Sequence, residues 1–413
     1  MSKSSNQTKS SVSSRFQPED FRRALISEEE RDAVLRVIDK AIAKHTAFDR
    51  YGGEEVDAYE QEFAAHMGTG FATAVSSGTA AVHAAIAALN LEPGSEVICP
   101  PITDPGGIGP VLASLCIPVF ADTDPETFNV TAESIEKVIT DQTRAIVVAH
   151  IAGEPCDMGA IMEVASRHHL PVIEDVAQAH DATWNGQRVG SFGTLGAFSL
   201  MSGKHHTSGG QGGMVTTNDE ALYWRAKSFA DRGKNFSRSD VGGFLGLNYR
   251  MTELEAAMGR VQLRRLPAFI SRRQRLAARL RAALSGSSLF SLGWMPEQAE
   301  SAYWFLRMRV FGGEESLSKE KIAQQLCDVG IPAAPTYTSL IAKQPWFANK
   351  RIFADSGIPW SLPQCQRVPD YDNCCPNAER ALANHMMIAF NESMTEDVVD
   401  RMAEVMRDLE EKM

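Results

Sequence analysis

Residues 198–219 read FSLMSGKHHTSGGQGGMVTTND, and they place a single lysine, Lys204, beside two histidines and five glycines. The flanking segments GAFSL and GGMVTTN have the short, apolar pattern of buried strands. Three interpretations compete for a lysine in these surroundings: a phosphate-binding nucleotide loop, a dinucleotide-binding turn, or a lysine that bonds covalently to a cofactor. The choice between them decides the fold.

Spacing rules out the first two interpretations. A nucleotide-binding P-loop requires G-x-x-x-x-G-K followed by Ser or Thr, whose hydroxyl holds magnesium. Here Phe198 stands where the first glycine should be, and His205 follows the lysine. The glycines at 106–109 and 209–213 do not complete G-x-G-x-x-G, the spacing of a dinucleotide-binding turn. The covalent interpretation is left, and it predicts companion residues elsewhere in the chain.

The segments before the lysine alternate between strand and helix patterns. FATAVSS, EVICPP, IPVFAD, AIVVAH and PVIEDV are short apolar runs, and helical segments such as TAAVHAAIAALNL lie between them. This alternation predicts an α/β fold with a mostly parallel sheet and helices on both faces. Ligands then bind outside the carboxyl ends of the strands. Asn185-Gly186 between two short runs predicts a hairpin with a type I′ turn.

Two of these segments carry the companions that a lysine bound to pyridoxal phosphate needs. PVIEDVAQAH ends a predicted strand with Asp175, which can face the pyridine nitrogen, and Gln178 follows. VSSGTAAVHAAI offers Ser76, Ser77, Gly78 and Thr79 at a helix N-terminus, where N–H groups and the dipole attract a phosphate. Taken singly, Asp175 can be an N-cap, SSGT plain capping chemistry, and Lys204 a surface lysine. Their combination and order favour the cofactor site.

Composition limits the partners. A net charge of −11 and a pI near 5.5 argue against nucleic acid or an anionic membrane as a partner. No run approaches the roughly 20 apolar residues of a membrane helix, and the Ser-rich residues 2–15 are unlike a signal peptide. The seven cysteines are scattered and never spaced C-x-x-C. We therefore expect reduced thiols in a cytoplasmic protein and no structural metal.

The length of 413 residues favours two domains. We predict a disordered polar tail over residues 1–20, a large cofactor-binding domain over 21–265 that includes a helix over residues 28–44, and a small C-terminal α/β domain over 266–413. A long Arg-rich helix is predicted over residues 252–284. In the last domain, YWFLRMRVF has the pattern of a strand, and SKEKIAQQLCDV and TEDVVDRMAEVMRDLEEKM have the pattern of helices.

With these motifs in place, the chain resembles the DegT/StrS family of pyridoxal-phosphate-dependent sugar aminotransferases, which have the fold type I architecture. The resemblance runs from about residue 25 to the C-terminus. It is carried by YGGEEVDAYEQEFAAHMG, AVSSGTAAVHAAIAALNLEPGSEVICPP, IPVFADTDPETFNVTAESIEKVIT, HIAGEPCDM, VIEDVAQAHDATWNGQRVGSFGTLGAFSL, GKHHTSGGQGGMVTTND and GLNYRMTELEAAMGRVQL.

The resemblance implies a role for each site residue. Lys204 would form the Schiff base with the cofactor and shuttle the proton. Asp175 would pair with the pyridine nitrogen, and Gln178 would contact the ring on its hydroxyl side. The residues expected to hold the phosphate are Gly78, Thr79 and Ser199.

The resemblance also implies a homodimer with shared active sites, because Asn248 matches the residue that reaches the phosphate from the neighbouring subunit. His150 would lie near the ring, without an assigned role. The implied reaction moves an amino group from an amino acid, glutamate or glutamine, to a small-molecule keto sugar, nucleotide-linked, or to a keto-cyclitol. Related sugar dehydratases carry His in place of the lysine, so Lys204 favours the aminotransferase. A non-catalytic regulator on the same fold is a further alternative, although such a protein would be expected to lose Lys204 or Asp175.

The sequence departs from the family pattern at three places. Asp104 replaces the aromatic residue that usually stacks on the pyridine ring. Gln211 replaces the glutamate of G-E-G-G, and Arg232-Gly233 replaces His-Gly. These positions lie on the substrate side by analogy, so they bear on the identity of the substrate more than on the cofactor.

Overall fold

Each short apolar run that is predicted to form a strand does so. The computed structural model describes residues 16–49, 51–234, 243–311 and 318–412. In chain order the strands are β1 (Phe71–Val75), β2 (Glu96–Cys99), β3 (Ile117–Phe120), β4 (Thr143–Ala149), β5 (Val172–Asp175), β6 (Thr183–Trp184), β7 (Gln187–Arg188), β8 (Leu195–Ser199), β9 (Gly213–Thr217), β10 (Phe290–Leu292), β11 (Ala299–Glu300), β12 (Phe305–Val310), β13 (Ala333–Ala334) and β14 (His385–Ala389).

Most of the helices begin at side-chain caps. Ser77, Thr131, Thr252 and Thr395 each accept a backbone hydrogen bond in the first turn of the helix that follows. The helices are α1 (Glu28–Lys44), α2 (Glu54–Met67), α3 (Gly78–Leu89), α4 (Pro105–Ala113), α5 (Ala132–Val138), α6 (Met158–Arg167), α7 (Glu220–Ala230), α8 (Glu253–Ala283), α9 (Lys319–Asp328), α10 (Pro345–Ala348), α11 (Pro376–Asn384) and α12 (Glu396–Glu411).

The larger sheet is mixed but mostly parallel, as predicted. Its order is β1-β9-β8-β5-β4-β2-β3. From β8 to β3 all neighbours are parallel, whereas β9 runs antiparallel to both β1 and β8. Along β4, Val147 packs into one apolar cluster, and Ile146 and Val148 pack into another. Both faces are therefore covered, which explains why these strands are continuously apolar.

A tight hairpin lies between β5 and β8 in the chain. β6 and β7 pair antiparallel, with Trp184 opposite Gln187. The turn residues Asn185 and Gly186 have φ of 48° and 77°. Positive φ at both positions is the signature of a type I′ turn, so this prediction is confirmed.

A smaller antiparallel sheet of order β10-β12-β14-β13 occupies the C-terminal part. Its core packs against α9, α12 and the end of α8. The helix α8 is continuous from 253 to 283, so the predicted boundary between residues 265 and 266 falls inside one helix that joins the two sheets' cores.

The prediction of a disordered tail up to residue 20 is wrong for its last five residues. Phe16 is 1% exposed and packs into the core of the smaller sheet, and its N–H bonds to the carbonyl of Val329. A short 3-10 helix, Pro18–Phe21, follows. An apolar aromatic ring within a polar segment anchors it. Residues 1–15 of the predicted tail lie outside the described residues.

Within the described ranges, the helices lack the combination of length and apolar content that crossing a bilayer takes.

Candidate active site

One cavity of about 190 Å³ lies at the carboxyl ends of the central strands. Asp175 is the last residue of β5, Ser199 is the last residue of β8, and Gly78 begins the helix that follows β1. Because β5 and β8 are neighbours, their ends bring these groups together. The predicted residues that line this cavity are Gly78, Thr79, Asp175, Gln178, Ser199 and Lys204.

Lys204 lies on the loop between the paired strands β8 and β9 and is 8% exposed. Burial lowers the pKa of its amine to about 8, against the opposing attraction of Asp175 and Asp104. The Nζ atom lies 3.9 Å from the centre of the Trp304 ring. A buried amine whose pKa is this close to neutrality can both act as a nucleophile and exchange a proton.

The Asp175 carboxylate has one oxygen bound and one oxygen directed toward the cavity wall. Oδ1 accepts a hydrogen bond from the N–H of Ala177 at 3.0 Å. Burial raises the pKa of Asp175, although the Ala177 N–H and the charge of Lys204 lower it. An incoming cationic ring nitrogen would favour the charged carboxylate, as a counter-ion does for a buried acid.

Gly78 allows the start of α3 to lie directly against Ser199 at the end of β8. A Cβ at this position would stand 2.5 Å from the Cβ of Ser199, closer than real side chains approach. Ser77 caps the helix through a bond from the N–H of Ala80 at 3.0 Å. The first N–H groups of a helix have no acceptor within it, so this end offers donors and a positive dipole to an anion.

The side-chain amide of Gln178 is held at both ends. Its Oε1 accepts the N–H of Ala152 at 2.9 Å, and its Nε2 donates to the hydroxyl of Tyr337 at 2.7 Å. An amide nitrogen has two hydrogens, so one remains for a ligand oxygen. Tyr337 comes from the segment after β13, and no sequence pattern points to it.

His150 does not line the cavity, and its ring makes hydrogen bonds within the core. Its Nδ1 accepts the N–H of Cys156 at 3.0 Å, which puts the proton on Nε2, and Nε2 lies 3.1 Å from the carboxylate of Glu174. The motif HIAG has a second use at Gly153, where a Cβ would meet the backbone nitrogen of Tyr303 at 2.6 Å. This close approach brings the chain before β12 to the site.

Asn248 is exposed and does not line the cavity. It pairs with Asp231 through an isolated β-bridge. The predicted role of Asn248 depends on a second subunit, and it stays a prediction.

The departures from the family pattern fall in two places. Asp104 and Gln211 line the cavity, whereas Arg232 bonds to Asp231 at 3.0 Å outside it. Asp104 is the N-cap of α4 and accepts the N–H of Gly106 at 2.8 Å. The capping bond occupies one carboxylate oxygen, so the other is available to a ligand.

Comparison with known proteins agrees with the resemblance. Residues 26–407 match the model of the DegT/DnrJ/EryC1/StrS aminotransferase family. The GDP-perosamine synthase of Caulobacter vibrioides is 34% identical over 320 residues, which cover 77% of this chain and 84% of that protein. An aminotransferase from Psychrobacter cryohalolentis has a TM-score of 0.82 and 32% identity, over 94% of this chain and 98% of that one. The GDP-4-keto-6-deoxy-D-mannose-3-dehydratase of E. coli has a TM-score of 0.80 and 25% identity, over 93% and 98%. The overall fold therefore does not distinguish an aminotransferase from a dehydratase. The residues of the site have to make this distinction.

Proposed function

The protein belongs to the DegT/DnrJ/EryC1/StrS aminotransferase family and is a pyridoxal-phosphate-dependent aminotransferase; we propose that it transfers the amino group of glutamate or glutamine to the ketone of a nucleotide-linked keto sugar. The observation that carries the proposal is the buried Lys204 amine, with its pKa near 8, in one cavity with Asp175. A dehydratase that resembles this family would carry His at position 204, so the lysine favours transamination.

The residues fit pyridoxal phosphate on three counts. The N-terminus of α3 suits a phosphate, since its first N–H groups have no acceptor within the helix, and Gly78 lets this end lie directly against Ser199. Asp175 suits a protonated pyridine nitrogen, and the free amide hydrogen of Gln178 suits an oxygen of the ring. When bound, the cofactor supplies an aldehyde that receives the amino group and a ring that withdraws electrons.

Lys204 would hold the cofactor and then move the proton. Near neutral pH a fraction of its Nζ is unprotonated because burial lowers its pKa to about 8. That nitrogen would take the α-proton of the donor. Asp175, which lines the same cavity, would stabilise a positive charge on the bound cofactor.

The overall exchange needs no external oxidant. The donor exchanges its amino group and α-hydrogen for an oxygen and becomes a 2-oxo acid. The acceptor exchanges its ketone oxygen for an amino group and a hydrogen and becomes an amine, so atoms and electrons balance between the two substrates. The similarity to a GDP-perosamine synthase supports a nucleotide-linked acceptor. The changed residues Asp104 and Gln211 leave a free keto-cyclitol as the other outcome of the test.

A half-reaction assay tests the acceptor. The protein is loaded with pyridoxamine phosphate and mixed with a GDP-linked 4-keto-6-deoxy sugar, a dTDP-linked keto sugar or a free keto-cyclitol, and the return of the aldehyde form is followed by absorbance. We expect the fastest return with a nucleotide-linked sugar. Return with the cyclitol alone would contradict the proposed acceptor, and no return with any ketone would contradict the aminotransferase activity.

We further propose a homodimer in which each site is completed by Asn248 of the second copy. Asn248 is exposed beside the apolar side chains of Phe244, Leu245 and Leu247, which are 40%, 83% and 39% exposed. Apolar groups of this size in one segment favour burial against a partner. A cytoplasmic location is proposed with it, on the basis of seven cysteines that form no disulfide.

Subunit complementation tests the shared site. Lys204→Ala and Asn248→Ala proteins are expected to be nearly inactive alone. Co-expressed, half of the dimers would combine the two chains and carry one intact site, so about a quarter of wild-type activity is expected. Failure to recover activity from mixed dimers would contradict the shared site.

A further inference from the structure

The backbone of Lys204 is held by Arg23, which lies 181 positions earlier in the chain. The guanidinium of Arg23 donates from Nη1 to the carbonyl oxygen of Lys204, and from Nη2 to the carbonyl oxygen of His205 at 2.8 Å. Arg23 precedes α1, and its side chain is 15% exposed. One planar group thus fixes two successive carbonyls of the lysine loop.

A buried carboxylate links Arg23 to a second arginine. Glu392 binds the Nε of Arg23 through Oε1 at 2.6 Å and the Nε of Arg273 through Oε2 at 2.7 Å. The side chains of Glu392 and Arg273 are 5% and 2% exposed. Burial raises the pKa of Glu392, but the two guanidinium groups outweigh it and lower the pKa overall. The carboxylate is therefore charged and holds both cations in place.

Arg273 extends the connection to the residues beside the lysine amine. Its Nη1 donates to the carbonyl oxygens of Tyr303 at 2.6 Å and Phe390 at 2.9 Å. Next to Tyr303, the indole of Trp304 lies 3.9 Å from the Nζ of Lys204, and its Nε1 donates to the carbonyl of Gly203 at 3.2 Å. An indole face at this distance attracts an ammonium group and covers it from water.

These contacts close a ring around the lysine. We propose that Arg23, Glu392, Arg273 and Trp304, named here the lysine collar, position Lys204 for its reaction with the cofactor, Arg23 at the backbone and Trp304 at the amine. The inference rests on the proposed function of Lys204 and adds four positioning residues to it.

The test separates positioning from plain stability. Apo protein is mixed with pyridoxal phosphate, and the rate at which Lys204 becomes labelled is measured by borohydride quenching and peptide mass spectrometry. Arg23→Lys keeps the charge opposite Glu392 but loses the fork to two carbonyls, and Trp304→Phe keeps a ring but loses the bond to Gly203. We expect each variant to slow labelling by about 10- to 100-fold, since small misplacements of a reacting group have effects of this size.

A matched control and a second background complete the test. Arg279, also in α8, pairs with Asp400 at 2.6 Å and with Glu396 at 3.0 Å, away from the four collar residues. Arg279→Lys is expected to label at the wild-type rate. In a Lys204→Ala background, Trp304→Phe and Arg23→Lys should leave the dissociation constant of pyridoxal phosphate unchanged, because the collar acts through Lys204.

Three results bear differently on the two proposals. Equal labelling rates in wild type, Arg23→Lys and Trp304→Phe would overturn the collar and leave the proposed function standing. A loss of cofactor affinity in the Lys204→Ala background would also overturn it, because the residues would then support the cavity as a whole. A wild type that is never labelled at Lys204 would contradict the proposed function itself.

Discussion

The two halves of the site are built in different ways. The proposed cofactor cradle, which comprises Gly78, Thr79, Asp175, Gln178 and Ser199, comes from strand ends and the residues just after them. The lysine collar comes from both ends of the chain: Arg23 is 181 positions from Lys204 and 369 from Glu392. The cradle is therefore set by local strand and turn geometry, whereas the collar exists only once the small C-terminal sheet has packed. Sequence motifs disclose the first kind of construction and not the second.

The largest effect is expected at the residue that both halves share. Lys204→Ala removes the nucleophile and the proton carrier together, so turnover should fall by more than about 10³-fold. Steady-state transamination with glutamate measures it. Lys137→Ala, which removes an exposed lysine of α5, serves as the control. Residual activity within 10-fold of wild type would assign the chemistry to another group. Such a change corresponds to only about 1.4 kcal/mol in the activation free energy.

Substitution of the two carboxylates that line the cavity should change different kinetic parameters. Asp175→Asn removes the charge from the cradle, and we expect kcat to fall on the order of 10²-fold with every acceptor, since the charge stabilises the reacting ring. Asp104→Asn keeps a capping oxygen for Gly106 and should change mainly the acceptor KM. Kinetics with two acceptors separate the two effects. A general loss of kcat in Asp104→Asn, equal to that in Asp175→Asn, would remove the distinction between cofactor side and substrate side.

The cradle's shape is tested by adding one methyl group. Gly78→Ala places a Cβ 2.5 Å from that of Ser199, so the start of α3 has to move. We expect cofactor affinity to fall about 10-fold or more, an effect of about 1.4 kcal/mol. Gly109→Ala in the adjacent α4 meets nothing within 4 Å and should bind normally. Equal affinities in both variants, measured by equilibrium titration, would show that α3 does not contact the phosphate.

The smallest effect concerns the histidines behind the lysine. His205 and His206 are 0% exposed, and burial lowers the pKa of His206 to about 4. In the folded protein His206 stays neutral at pH values where the same histidine in the unfolded chain, with a pKa of about 6.5, is protonated. The free energy of unfolding should thus be at its full value above pH 6.5 and decrease toward pH 4, by at most about 1.4 kcal/mol per pH unit for each histidine.

Urea unfolding at pH 7.5 and 5.5 measures this dependence. His206→Gln keeps a donor for the carbonyl of Gly259, which the ring nitrogen contacts at 3.0 Å, and cannot ionise in this range. It should flatten the pH dependence, whereas His168→Gln at an exposed position should not. An unchanged slope in His206→Gln would mean that the buried ring does not set the acid sensitivity.

The sequence predicts the strands, the type I′ hairpin and the cradle because each follows from local patterns. Asp175 stands at the end of an apolar run, and SSGT stands between a strand and a helix, so parallel pairing brings them to one edge. The anchoring of Phe16 and the contacts of Tyr337 and Trp304 depend on packing between distant segments. A lone phenylalanine in a Ser-rich stretch and an arginine before a helix carry no periodic signal. Gly153 is the position that hints at the packing of the Trp304 segment, since a glycine beside a strand end permits close backbone approach.

Peptide mapping tests whether Lys204 is the residue that bonds to the cofactor. Wild-type protein is incubated with pyridoxal phosphate, reduced with borohydride and digested, and the labelled peptide is sequenced by mass spectrometry. We expect one phosphopyridoxyl group per chain, on Lys204. A label on a different lysine, or a chain that takes up none at saturating cofactor, would contradict it.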